Sequence, residues 1–212
     1  MLNFRNFIPL IYTDYSIVLS VRVPVTGKAL PSDMASAESF DKGLVQVFTG
    51  EGRGKTSAAI GTVVRALGNG FRVFIVAFMK AGHPSGEWEV LSGLQNVSVA
   101  RFGTRTFVNP DSPGPEDREQ AAQALKAARE AMLSGDYELV VLDEVNVAVA
   151  WKLVELDEVL RLIEDKPGNV ELILTGRSAD KEIVRAADLV TEMLNIRHPY
   201  EKGTIARKGI EY

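Results

Sequence analysis

From Gly43 onward the chain alternates short apolar runs with longer stretches in which apolar residues recur every three or four positions. LVQVFT (44–49), RVFIVAFM (72–79), VSVARF (97–102), LVVLD (139–143), VELILT (170–175) and LVTEML (189–194) read as strands. Between them the spacing predicts helices. One runs from Lys55 to about Leu67, and a long one from about Glu116 to Ser134, where Gly135 stops it. A third carries Leu156, Val159, Leu160 and Ile163 on one face and is closed by Pro167-Gly168; a short fourth covers KEIVRAAD. Strands alternating with helices at this spacing imply an α/β fold with a mostly parallel sheet of about six strands and helices on both faces. Ligands of such sheets sit at the carboxyl ends of the strands.

Residues 1–42 lack that rhythm. They hold scattered β-formers, then Pro24, Gly27, Pro31 and the small polar run SDMASAES, which reads as a linker. This segment is expected to be a loosely ordered extension of a domain spanning 43–212. Ile17–Val23 has the composition of an edge strand, and Met34 is a candidate internal start. At 212 residues the chain is long enough to bury a sizeable core, and its 46% apolar and 25% charged residues are those of an ordinary globular protein. Asp14 breaks the early apolar run, and no stretch approaches the roughly 18 apolar residues of a membrane span. The expected location is the cytoplasm, without membrane association.

Charge and cysteine content narrow the chemistry. Twenty-four Lys and Arg face 28 Asp and Glu, a net charge of −4 with no basic run, which argues against wrapping nucleic acid. With no cysteine and only His83 and His198, thiolate and three-histidine metal sites are excluded. Any metal is expected to be a hard cation on oxygen ligands.

The strongest motif is Thr49-Gly50-Glu51-Gly52-Arg53-Gly54-Lys55-Thr56-Ser57, between a strand and a helix. Glycines let backbone N–H groups close around phosphate oxygens, and the helix N-terminus adds a positive dipole. Lys55 would neutralise phosphate charge and the Thr56 hydroxyl would ligate Mg²⁺. Thr49 stands at the first glycine position of G-x-x-x-x-G-K-[ST], so the loop is one residue short and cleavage of the γ-phosphate does not follow from it. The second anchor is LVVLDEVN, an apolar strand ending in Asp143-Glu144, the acidic pair that holds Mg²⁺ opposite a phosphate loop. Asn146 either serves this site or caps the following helix.

TGEGRGKTSAAIGTVVRALGNG, GDYELVVLDEVNVAV, ELILTGR and ADLVTEMLNIRHPYEKGTIARKGIEY, in that order, resemble the phosphate-loop class of corrinoid adenosyltransferases. The resemblance covers about residues 43–212, and the last block is its most specific part. It implies a RecA-like phosphate-loop fold and transfer of the 5′-deoxyadenosyl group of ATP to the cobalt of a reduced corrinoid, with release of inorganic triphosphate. The family's short loop binds ATP in a reversed sense, in keeping with the missing glycine. ATP is then a co-substrate, Mg²⁺ (or Mn²⁺) the cofactor, a reduced flavoprotein the electron donor and a homodimer the assembly.

Carried over residue by residue, the resemblance assigns Gly50, Gly52, Gly54, Lys55, Thr56 and Ser57 to ATP, and Thr56 and Glu144 to the metal. The remaining loop residues Glu51 and Arg53 are ATP-binding candidates by position, and Asp143 a metal candidate as the other member of the strand-end acidic pair. It makes Lys55, Thr56 and Glu144 the catalytic set. Arg177 in TGR reaches a phosphate or ribose, or is a surface ion-pair partner. Phe107, Glu87 and His198 are the corrinoid candidates, His198 equally a structural hydrogen-bonding residue. Some members carry a Phe–Thr–Trp triplet after the third strand that helps displace the corrinoid's lower ligand. Here the loop is Phe102-Gly103-Thr104-Arg105-Thr106-Phe107-Val108-Asn109, without tryptophan. Either the lower ligand is excluded by another route, or the substrate lacks one. Ala77 and Ala81 in AFMKAG also depart from the usual Gln and Gly, and Trp88 is an addition that packs a helix or touches a corrin. The competing readings are a phosphate-loop ATPase or kinase that breaks the β–γ bond, and a nucleotide-gated binding module.

Overall fold

The computed structural model describes residues 41–82 and 85–211. The proposed linker, Met34, the strand-like segment Ile17–Val23 and His83 lie outside the described residues. Six strands form one sheet: β1 Val45–Thr49, β2 Val73–Ala77, β3 Val97–Arg101, β4 Leu139–Asp143, β5 Glu171–Thr175 and β6 Leu189–Glu192. Their order is β3-β2-β4-β5-β1-β6, and every pairing is parallel. The sheet is thus wholly rather than mostly parallel. Every crossover must therefore pass over a face, which is why helices cover both sides.

The helices are α1 Lys55–Gly68, α2 Gly86–Ser92, α3 Pro115–Leu133, α4 Val145–Ala150, α5 Leu156–Glu164 and α6 Lys181–Ala186. A 3₁₀ turn covers Pro199–Lys202. α2 and α4 have no counterpart in the sequence pattern; at seven and six residues they are too short to show a helical period.

Strand alternation splits the interior into two cores. Val45, Val47, Val76, Val140, Leu142, Leu172 and Leu174 face α3 to α6, whereas Ile75, Val141 and Ile173 face α1 and α2. On α3 the inward face is Ala121, Ala124, Leu125, Ala128, Ala131 and Met132, mostly alanine, so the helix lies close to the sheet. Cutting buried Met132 back to alanine would cost about 2–5 kcal/mol by this logic. β4 and β5 are buried along their whole length, as central parallel strands must be. β3 is half-buried and β6 exposed at every position, the two edges of the sheet. Trp88 on α2 is buried in the second core, so it packs a helix.

Candidate functional site

Three strand ends meet at the carboxyl edge of the sheet. β1 runs into the glycine loop, β4 ends at Asp143, and β5 lies between them and ends at Thr175. Separation of the loop strand and the acid strand by one strand is the RecA-like arrangement. The intervening strand supplies the link: the Thr175 hydroxyl donates to Asp143 Oδ1 at 2.8 Å and accepts the Glu144 N–H at 3.0 Å. Nothing in the sequence marks Thr175 for this role beyond its place at the end of the buried strand ELILT.

The loop itself is held by its neighbour. Gly50 has φ 94° and Gly54 φ 117°, conformations that favour glycine. Gly52 N–H donates to the Met193 carbonyl at 2.6 Å, just beyond β6. A Cβ at Gly50 or Gly52 would lie 2.5 Å from the carbonyl oxygen of Met193 or Leu194 respectively. Lys55, at the start of α1, is buried and donates to the carbonyls of Gly50 and Gly52, both at 2.7 Å. Burial and the nearby Arg177 charge hold its ammonium below the usual lysine value, against the pull of Glu144 and Glu51.

Asp143 is 1% exposed and fully engaged. Its Oδ1 also accepts from the Thr56 hydroxyl at 2.8 Å, and its Oδ2 takes the Lys80 ammonium at 2.8 Å. Glu144 follows in a left-handed turn (φ 67°) that lifts it out of the strand into the cleft. Burial and adjacent Asp143 push its carboxyl above the ordinary range, opposed by Lys80, Lys55 and Arg177. Asn146 neither caps a helix nor lines the cleft. It is buried inside α4 with its side-chain amide 3.4 Å from the Gly176 carbonyl.

The structure brings the loop residues Glu51 to Ser57 together with Glu144, Arg177, Glu87, Phe107 and His198 around one cleft of about 850 Å³. That volume lies within the range of small-molecule sites. Arg177 pairs with Glu51 at 3.5 Å on the open side of the loop. Arg53 instead pairs with Glu211 and the Ile210 carbonyl, which also line the cleft, tying the loop to the C-terminal segment. Phe107 is 88% exposed beside the cleft. His198 Nδ1 accepts the Tyr200 N–H at 3.2 Å, a local turn contact. Lys80, absent from the sequence candidates, also lines the cleft. Its signal was a basic residue three positions beyond a buried strand.

A glycine loop opening a helix, with a hydroxyl from its first turn bonded to a strand-end acid, defines a phosphate-loop nucleotide-binding protein. The family model for ATP:corrinoid adenosyltransferase BtuR/CobO/CobP matches residues 41–212. The corrinoid adenosyltransferase of Pseudomonas aeruginosa is 35% identical over 186 residues, 87% of this chain and 91% of that protein. That of Escherichia coli K12 is 33% identical over 174 residues, 81% and 87% of the two chains. The corrinoid adenosyltransferase CobA of Salmonella typhimurium is 34% identical over 175 residues, again 81% and 87%. The chain belongs to the ATP:corrinoid adenosyltransferase family, enzymes that move an adenosyl group from ATP to a corrinoid.

Proposed function

We propose that the cleft holds the triphosphate of ATP on residues 50–57 and presents the 5′ carbon to the cobalt of a reduced corrinoid. The observation that carries this reading is the convergence of Lys55, Thr56 and Glu144 on one cleft beside buried Asp143. Cobalt(I) donates its electron pair to C5′, the C5′–O5′ bond breaks, and that bond's electrons leave with inorganic triphosphate. The cobalt becomes an alkylated cobalt(III). Such a nucleophile needs no protein base, so the work left to the chain is orientation and charge stabilisation of the leaving group. Lys55 and the loop amides meet the phosphate charge. Arg177, now paired to Glu51, is placed to join them.

The donor atoms suit a hard cation, since the Thr56 hydroxyl and the Glu144 carboxylate both face the cleft. Mg²⁺ takes one or two such protein oxygens and fills its remaining positions with phosphate and water. Thr56 and Glu144 would hold it, with Asp143 fixing Thr56 from behind. When bound, the cation would supply positive charge against the triphosphate.

Phe107, Glu87 and His198 form the outer part of the same cleft and are the proposed corrinoid contacts. A reduced flavoprotein is the proposed electron source. The proposed assembly is a homodimer, supported by Leu189 and Val190, exposed on the edge strand β6. Residues 43–212 are proposed to be the catalytic domain.

Phosphorus NMR of the protein with Mg-ATP and a chemically reduced corrinoid tests the reading. Inorganic triphosphate and a light-sensitive cobalt–carbon product are expected. Stoichiometric ADP and phosphate, with or without corrinoid, would overturn it in favour of a β–γ-cleaving enzyme.

A further inference from the structure

Two neighbouring strands, β2 and β4, are followed by a non-glycine residue in the left-handed conformation: Met79 (φ 57°) and Glu144 (φ 67°). Such a conformation is disfavoured for an ordinary residue and persists where the surroundings impose it. Around Met79 they do so closely. Phe78 N–H donates to the Asp143 carbonyl at 3.0 Å, and Lys80 N–H to the Phe102 carbonyl at 2.7 Å. A Cβ on Gly103 would lie 2.7 Å from the Met79 Cα. The turn that results puts the next residue, Lys80, on the cleft wall.

The side chain of Lys80 is held as tightly as its backbone. Its ammonium is 2.8 Å from Asp143 Oδ2 and 5.7 Å from the centre of the Trp88 ring, which lies buried beneath it. Asp143 Oδ1 meanwhile holds the Thr56 hydroxyl. One buried carboxylate therefore sets two groups at once, a hydroxyl on the phosphate-loop helix and an ammonium at the end of β2. Asp143 takes one of the three donors of that ammonium, and a quarter of the side chain remains exposed to the cleft.

We propose that Lys80 is a second fixed cation for the triphosphate of ATP, aimed by Asp143 and the Met79 turn, which meets the polyphosphate together with Lys55. This rests on the adenosyl-transfer reading of the same cleft. It adds a residue three positions past the end of β2, three strands along the sheet order from β1, to a binding apparatus otherwise drawn from the loop after β1 and the ends of β4 and β5. The polyphosphate is then gripped from two ends of the sheet edge. Lys55 is tied to two loop carbonyls, whereas Lys80 is anchored to the end of β4 through Asp143.

Calorimetry with inorganic tripolyphosphate and Mg²⁺, and separately with uncharged adenosine, tests the assignment on the full chain. Lys80→Met should weaken tripolyphosphate binding by about tenfold or more while leaving adenosine within about twofold; each tenfold corresponds to about 1.4 kcal/mol. Lys80→Arg, which keeps the positive charge, should retain more tripolyphosphate affinity than Lys80→Met and leave adenosine within about twofold. Tripolyphosphate affinity unchanged in Lys80→Met would overturn the proposal. So would parallel loss of both probes in Lys80→Met and Lys80→Arg, the signature of a purely structural role. A parent protein that shows the tripolyphosphate pattern yet makes ADP from ATP would sink the adenosyl-transfer reading and leave the Lys80 contact standing.

Discussion

The carboxyl ends of β4 and β5, which lead into Glu144 and Arg177, and the stretch from Leu189 to Glu211 both contribute to the same cleft, and they are built on different terms. The first is packed under two cores, with Asp143 and Thr175 at 1% exposure or less. The second is exposed along almost its whole length, with Leu194, Ile196 and Ile205 open to solvent at 68%, 91% and 80%. Its anchors are Gly52 to Met193, the edge pairing of β6 with β1, and the pair of Glu211 with Arg53, while Arg207 braces Glu211 from within the stretch. Groups that must meet charge at a fixed point are placed where the fold cannot yield. The wall that includes His198, Ile210 and Glu211 is largely open to solvent.

The contrast can be broken at the buried end first. Asp143→Ala strands the Lys80 ammonium and two hydroxyls, and should cost about 2–4 kcal/mol of stability after allowing for the partial exposure of Lys80. The urea midpoint measures this, and a midpoint within error of the parent would mean that Asp143 is no hub. Lys55→Ala should raise the reaction barrier by about 2–4 kcal/mol, read from turnover, while Arg53→Ala, directed at the C-terminal segment, has a much smaller effect. Equal rates in the two variants would remove the role given to Lys55.

Glu144 sharpens the comparison through pH. Its folded pKa is raised, so above that value the ionised group opposes folding, and below the ordinary carboxyl value of 4.5 it contributes nothing. Glu144→Gln should therefore be more stable than the parent at pH 7.5 in metal-free buffer and equal to it at pH 4, while losing activity. A variant less stable at pH 7.5 would contradict the burial argument. At the exposed end, Glu211→Ala removes the partner of Arg53 and Arg207; the hydrogen bonds of Arg207, helped by the charges of Arg207 and Arg53, hold the Glu211 carboxyl down to about 2. The expected result is an unchanged urea midpoint but faster tryptic cleavage after Arg197, Lys202 and Arg207. A midpoint that falls as far as that of Asp143→Ala would erase the distinction. The smallest effect is expected from deleting residues 1–33, which should leave ATP affinity within about tenfold by titration calorimetry.

The same divide governs what the sequence disclosed. Strands β1, β2, β4 and β5 stand out because burial on both faces leaves near-continuous apolar runs, and each predicted boundary lies within two residues of the observed one. The glycine loop and Asp143-Glu144 were legible because phosphate chemistry demands those residue types in that order. Lys80 and Thr175 were not, since their importance lies in the strand order, which puts β5 between β1 and β4 and sets β2 beside β4. Nothing local in AFMK or ELILT encodes those neighbours. Asn146 misled for a related reason: its distance from Asp143 in sequence is short, but the left-handed turn at Glu144 directs it under the sheet edge, away from the cleft.

The crowding of Gly50 and Gly52 against the carbonyls of Met193 and Leu194 has a consequence for how such chains drift over evolutionary time. Both glycines are required by the packing of backbone on backbone, whether or not a nucleotide is ever bound. A descendant that had abandoned ATP would keep them, along with the apolar run before them. Lys55 and Thr56 carry no such steric obligation, so relaxed selection would erode them first. Among degenerate copies of this gene, the presence of the glycines thus reports that the domain still folds, and the Lys-Thr pair that it still binds.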